Sequence, residues 1–320
     1  MKILFVSSGN VQGGMSPFIR QQAKSLQDAG EDIDHFQVTA RGARGYLLAV
    51  LDLRQRLKAQ KYDLIHAHYS YCGIISDLAR RNEKLVVSFM GSDLLGGQHE
   101  SITKTWRAYL ALALNRFYAG TRYDLVILKS KGMQKCLRSG IPCEVVPNGV
   151  DMSRFYPMDR MDARNRLGWS LEKKIVLFAA NPARTEKNFP LAENVVALLK
   201  NTDVLLMPVW QIQHELMNCC FNAADALLLT SRYEGSPNVV KEAVACNLPV
   251  VSTDVGDVRE IIENIAGCFV CPQDANVLAS ALAATLKEKR RIDGRERIRD
   301  LEISVVAQRL IRLYERVLNT

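Results

Sequence analysis

The feature that most constrains the fold of this chain is a series of short apolar segments that runs, breaks off and begins again. Residues 2–7, 63–67, 85–89, 124–128 and 143–146 are brief, largely apolar stretches, and 34–38 reads as a further strand. Between them lie longer segments with apolar residues at helical spacing, among them 17–28, 45–60 and 102–118. A strand that is apolar at successive positions is buried on both faces, the condition of a parallel sheet covered by helices. Pro147-Asn148-Gly149 breaks the series, and it restarts after about residue 157. Strands are then expected at 174–179, 204–208, 226–230, 249–252 and 267–270, with helices at 190–200, 216–223, 238–246, 277–287 and 304–318. Two successive β-α-β series, each opening with a strand and a polar loop, predict two doubly wound α/β domains. Ligands of such domains bind at the carboxyl ends of the strands, so a cleft between facing domains is the expected site.

The length of 320 residues gives each domain room for a buried core. A content of 48% hydrophobic and 24% charged residues excludes a disordered chain. No run approaches the roughly 20 apolar residues that span a bilayer. The start, MKILFVSSGN, turns polar and glycine-rich after six residues, which reads as a first strand and not a signal peptide. A cytoplasmic protein is expected. Its eight cysteines are irregularly spaced, and Cys268-Phe-Val-Cys271 has no second pair, so small buried hydrophobes are expected rather than a zinc or disulfide framework. The net charge of +8 is uneven: residues 1–155 hold 21 basic and 13 acidic side chains, whereas the remainder balances. That asymmetry points to an anionic surface or ligand on the first half. No nucleic-acid recognition motif accompanies it.

Chemistry concentrates in Ser231-Arg232-Tyr233-Glu234-Gly235-Ser236-Pro237-Asn238-Val239-Val240-Lys241-Glu242, just after the apolar run 226–230. Gly235 permits a tight backbone path, and Pro237 presets the first helical turn. The free amides of the new helix point back at the loop and make an anion site. Glu234 before the helix and Glu242 on its second turn bracket that site. One carboxylate can face a sugar and the other a ribose diol, with a diphosphate on the amides between them, because each carboxylate accepts two hydroxyls. The same pattern also fits a helix whose acidic start simply complements its dipole.

The wider sequence favours the first of these. The stretch SRYEGSPNVVKEAVACNLPVVSTDVGDVREII closely resembles the donor-binding region of family 4 glycosyltransferases of the GT-B fold. VPNGVDMSRFYP, GGMSPFIRQQAKSL, DLIHAHY and SFMGSDL are similar to other segments of that family, in the family's order. The resemblance implies a GT-B architecture of two Rossmann-like domains: 1–155 on the acceptor side, with a closing helix at about 303–320 packed back on it, and 156–302 binding the nucleotide-sugar donor.

By matching position it places Glu234 against the transferred sugar and Glu242 against the ribose. Backbone from Gly235 through Ser236, Pro237 and Asn238 to Val239 is implied to hold sugar hydroxyls and diphosphate. Lys187 and Arg184 are implied to neutralise the diphosphate, and Gly13 and Gly14 to cap the donor from the first domain. The family commonly has a histidine where this chain has Met90. His66, His68 and Asp93 are the candidates to take over its part, with His68 and Asp93 joining Glu234 as expected catalytic residues. The resemblance further implies transfer with retention, no cofactor and no bound metal, the nucleotide-sugar being a substrate. Asp32-Ile-Asp34, which has metal-site spacing, is read as a solvated edge. The implied donor is UDP- or GDP-linked, and the acceptor a glycan or lipid-linked sugar in polysaccharide or glycoconjugate synthesis. Aromatic and basic residues interleaved along 102–138 suit an anionic inner-membrane face, hence a peripheral location. A non-catalytic nucleotide-sugar-binding subunit and an epimerase on the same fold are the alternatives.

Overall fold

A computed structural model describes residues 1–9, 14–39, 42–95, 102–213, 216–288 and 290–320, with backbone alone for 42–43 and 102–108. The chain divides into two compact units, Met1–Gly149 with Ile303–Thr320, and Val150–Glu302.

The first unit is a parallel six-stranded sheet of β1 (Lys2–Ser8), β2 (Asp32–Val38), β3 (Leu64–His68), β4 (Lys84–Ser88), β5 (Leu125–Leu128) and β6 (Cys143–Val145), in the order β2-β1-β3-β4-β5-β6. Its helices are α1 (Pro17–Asp28), α2 (Gly42–Ala59), α3 (Ser70–Ala79), α4 (Ser92–Leu95), α5 (Ile102–Thr121) and α6 (Lys131–Gln134). Alternate residues of β1 enter different cores. Leu4 and Val6 pack with residues of α2 and α3, whereas Ile3 and Phe5 pack with residues of α1 and the C-terminal helix. Burial on both faces is why β1 reads as a continuous apolar run.

The second unit is a parallel five-stranded sheet of β7 (Lys174–Phe178), β8 (Val204–Pro208), β9 (Ala226–Leu229), β10 (Val250–Thr253) and β11 (Phe269–Cys271), in the order β11-β10-β9-β7-β8. Around it lie α7 (Arg160–Leu167), α8 (Phe189–Leu198), α9 (Met217–Ala223), α10 (Asn238–Ala245), α11 (Val258–Ile262) and α12 (Ala275–Glu288). The last helix, α13 (Ile303–Leu318), belongs to the first unit. Its Val306, Ala307, Leu310, Ile311, Tyr314 and Val317 recur at helical spacing and are buried with Ile19, Ala23 and Leu26 of α1.

Two differences from the sequence-based expectation have clear physical causes. The unit boundary falls at Gly149, not at 155, because Val150, Met152 and Phe155 are buried in the second unit's core. Arg295 fastens this stretch, donating to the carbonyls of Phe155 at 2.5 Å and Met152 at 2.7 Å. Helix α7 lies in a segment without marked apolar periodicity and is set by its ends. Asp159 caps the amides of Met161 and Asp162 at 2.8 and 3.0 Å, and Gly168 closes the helix with φ +66°. All eight cysteines are free, and Cys268 and Cys271 are buried. No helix among the described residues is long and apolar enough to cross a membrane.

Candidate functional site

In the second sheet β9 and β7 are hydrogen-bonded neighbours, with β8 on the far side of β7 and β10 on the far side of β9. The connections leaving β7 and β9 therefore part in opposite directions, opening a crevice at their carboxyl ends. The loop after β7 carries Arg184 and Lys187, and the loop after β9 carries Glu234 to Pro237. The loops are tied together. Thr230 Oγ1 lies 3.1 and 3.0 Å from the carbonyl oxygens of Lys187 and Asn188, and the Arg232 amide donates to the Glu186 carbonyl at 2.9 Å. Asn188, at φ +54°, makes the turn from the short 3-10 helix Thr185–Lys187 into α8.

This arrangement brings Lys187 onto Glu234. Lys187 Nζ donates to Glu234 Oε1 at 2.5 Å, and Ser231 Oγ donates to the same oxygen at 2.8 Å. Both bonds fall on Oε1, which leaves Oε2 to accept hydroxyls of a ligand. An ammonium has three N–H groups, so Lys187 can bind Glu234 and an anion together. Arg184 is placed differently. It is 59% exposed and its Nε donates to Glu186 Oε1 at 2.6 Å, so the expected pair of cations is represented at Glu234 by Lys187.

Behind the loop, Gly256 has φ +59°, and a Cβ there would lie 2.8 Å from the Gly235 carbonyl oxygen. Ser236 is buried, and its hydroxyl is engaged with Asp257 at 2.6 Å and with Lys241. Residues 235–237 therefore offer a ligand their backbone. Pro237 precedes α10, Asn238 opens it with a buried Oδ1 that has no hydrogen-bond partner among the described residues, and Val239 packs on the core. Glu242 is half-buried on the next turn. Burial raises its carboxyl to about 7, against the opposing charges of Arg154 and Lys241.

In the first unit Gly14 has φ +85°, a conformation that favours glycine. Gly13 lies outside the described residues. His66 and His68 end β3 on the face covered by α1 and α13. His66 Nδ1 is 2.7 Å from the Tyr314 hydroxyl and Nε2 is 2.8 Å from Ser88 Oγ. His68 is fully buried, its ring centroid 4.2 Å from that of His66, and among the described residues neither of its nitrogens has a hydrogen-bond partner. Burial first, and then the neighbouring charges, hold both rings well below the usual imidazole range and therefore neutral.

Asp93 is occupied by the backbone. Its carboxylate accepts from the amides of Met90 and Gly91, each at 3.0 Å, and of Ser70 at 3.2 Å, while burial raises it to about 6. It pins Ser70 beside Tyr69, whose φ of +76° is strained for a side-chain-bearing residue. Both carboxylate oxygens of Asp93 are thus engaged by backbone amides. Asp32 pairs with Lys2 at 3.3 Å, and Asp34 accepts from Tyr62 and Arg56 at 2.7 and 2.9 Å, so both belong to local ion pairing. Sequence reasoning passed over three participants: buried Lys241, Asp257, and Tyr314 on the closing helix. The one advance signal was a lysine inside the apolar run Val239-Val240-Lys241.

Comparison with known proteins gives two family models. "Glycosyltransferase Family 4" matches residues 18–154, and "Glycosyl transferases group 1" matches residues 176–288. The putative teichuronic acid biosynthesis glycosyltransferase TuaC of Bacillus subtilis is 26% identical over 269 residues, taking in 77% of this chain and 66% of that protein. A UDP-Gal:alpha-D-GlcNAc-diphosphoundecaprenol alpha-1,3-galactosyltransferase of Escherichia coli is 23% identical, over 75% of this chain and 70% of its own. The chain thus spans slightly less than two thirds of the length of TuaC. Among solved structures, sucrose-phosphate synthase of Thermosynechococcus elongatus superposes with a TM-score of 0.81 at 20% identity, with both chains covered completely. Anabaena HepE in complex with UDP and glucose gives 0.76 at 19% identity, over 98% of this chain and 99% of the other. These likenesses show the GT-B fold.

Proposed function

The chain belongs to the family 4 glycosyltransferases, glycosyl transferases group 1, and on that premise we propose that it transfers a sugar from a UDP- or GDP-linked donor to a glycan or lipid-linked acceptor. The observation that carries the reading is Lys187 and Ser231 converging on Glu234 at the switch point, with Glu242 one turn into α10. Glu242 suits a ribose diol, since a carboxylate accepts two hydroxyls. Glu234 Oε2 suits a sugar hydroxyl. Lys187 suits the diphosphate.

In this reading the bond between the anomeric carbon and the diphosphate oxygen breaks, its electron pair leaving with the diphosphate. An acceptor hydroxyl oxygen forms the new bond on the same face, and its proton passes to the departing diphosphate. Catalysis then rests on positioning and on charge stabilisation, Lys187 balancing the negative charge that grows on the leaving group. That cation supplies what a metal ion supplies elsewhere, so activity is expected to survive EDTA. The first unit, with His68, is assigned the acceptor side, and its Gly13 and Gly14 the capping of the donor. Exposed Tyr109, Leu110, Leu114 and Phe117 on α5, beside the basic excess of that unit, support a peripheral seat on an anionic cytoplasmic membrane face. The name of the Escherichia coli relative, with its diphosphoundecaprenol-linked acceptor, supports a lipid-linked acceptor here.

The test is turnover of a panel of UDP- and GDP-sugars by the wild type, Glu234→Ala and Lys187→Met. Release of nucleoside diphosphate, lowered about 100-fold or more in Lys187→Met, is the expected result. Nucleotide binding without turnover by the wild type would instead favour a non-catalytic donor-binding subunit, the alternative that Met90 keeps in view. Sugar inversion without transfer would favour an epimerase.

A further inference from the structure

Lys241 is fully buried, and no step of the proposed reaction uses it. It sits in α10 between Val240 and Glu242. Its Nζ donates to Ser236 Oγ, and that hydroxyl donates onward to Asp257 Oδ2 at 2.6 Å. Nζ and Asp257 Oδ2 are themselves 3.7 Å apart. The result is an ion pair bridged by a hydroxyl, with Lys241, Ser236 and Asp257 all under 10% exposed. Burial lowers the Lys241 ammonium from its ordinary value, and Asp257 counteracts that effect.

We infer that Lys241, Ser236 and Asp257 form a positioning device that casts the donor loop 231–237 onto the segment 253–257, resting on the reading of that loop as the donor site. The two segments meet at three points. Thr253 Oγ1 donates to the Ser231 carbonyl at 2.7 Å, Gly256 abuts the Gly235 carbonyl, and Asp257 takes the Ser236 hydroxyl. The three contacts fall at the first, fifth and sixth residues of the loop, with Glu234 between them. The bridge uses the Ser236 hydroxyl as acceptor and as donor, which orients that side chain inward and commits the backbone of 235–237 to the ligand.

Stability alone does not account for the device. Burying an ammonium and a carboxylate costs more than an apolar pair of similar size, unless geometry or specificity is gained. What the ion pair supplies is one register between α10 and the loop behind the donor site, the best-attested use of such pairs.

The test compares wild type with Lys241→Met, Asp257→Asn and the double variant K241M/D257N. The double variant removes both charges and leaves neither unpaired. Each protein is melted, assayed for UDP-glucose, UDP-galactose and GDP-mannose turnover, and followed by amide hydrogen exchange. The double variant is expected to melt within a few degrees of wild type while amides of 231–237 exchange at least tenfold faster. Its kcat is expected to fall at least tenfold, with affinity for UDP or GDP changed less than threefold. Unchanged exchange in 231–237 overturns the device whatever the activity. Faster exchange with unaltered kcat overturns its catalytic purpose. A wild type that turns over no sugar nucleotide, yet shows the exchange difference, removes the transferase reading and leaves the clamp standing.

Discussion

Replacing Glu242 by Gln tests the site through a conflict between stability and binding. The carboxyl of Glu242 is raised from 4.5 to about 7 by burial, a cost of ionisation that Arg154 and Lys241 only partly offset. The folded state therefore holds this proton more tightly than the unfolded chain does. Stability falls as pH rises from about 4.5 to about 7 and stays lowered above that range. A displacement of this size corresponds to at most about 3 kcal/mol at pH 8, and solvent reaching a half-buried side chain reduces it to about half. Glu242→Gln keeps the shape and removes the charge. It is expected to raise the urea unfolding free energy by about 1–3 kcal/mol at pH 8 and by less than about 0.5 kcal/mol at pH 4.5. The same substitution is expected to weaken UDP or GDP binding about tenfold at pH 8, since an amide oxygen accepts a ribose diol less well than a carboxylate does. Equal effects on stability at the two pH values, or a loss of stability at pH 8, would refute the claim that the carboxylate is held desolvated. Unchanged nucleotide binding would refute its assignment to the ribose.

Two further substitutions probe the scaffold on either side. Gly256→Ala places a Cβ 2.8 Å from the Gly235 carbonyl at a φ of +59°, so donor turnover is expected to fall at least tenfold with a loss of about 2 kcal/mol in stability, read by kinetics and thermal melting. Tyr314→Phe removes the hydroxyl 2.7 Å from His66 Nδ1 and leaves a buried ring nitrogen unpaired; melting is expected to report a loss of about 1–2 kcal/mol, while nucleotide affinity, which the proposed function assigns to the other unit, is expected to stay at the wild-type value.

Much of the architecture was legible because parallel strands are buried on both faces. The apolar runs at 2–7, 85–89 and 226–230 carry no solvent-facing alternation, and β1, β4 and β9 lie on them. Helix α3 was harder to foresee. Its sequence SYCGIISDLA mixes small, polar and apolar residues, and it begins from Tyr69 at a positive φ instead of a recognisable cap. The boundary at Gly149 coincides with the Pro147–Gly149 break, but the allegiance of 150–155 was hidden, since Val150 and Phe155 look like linker residues until the second unit's core closes over them.

At the site the division follows sequence distance. Glu234, Gly235, Pro237 and Glu242 lie within one strand-loop-helix unit, so their local geometry follows from strand, turn and helix rules that act over a few residues. The choice of Lys187 over Arg184 as the partner of Glu234 depends on Asn188 at φ +54° and on Thr230 beneath it, a loop conformation that the spacing of two cations does not contain. Lys241 meets Asp257 across a strand and two loops, and His66 meets Tyr314 from the far end of the chain. The sequence by itself therefore determined the alternating elements, the two-domain plan and the residues of one candidate anion site at a helix start. Tertiary structure alone decided which charges stand together, because a buried charge is tolerable only beside its partner, and that partner is chosen by how distant segments pack.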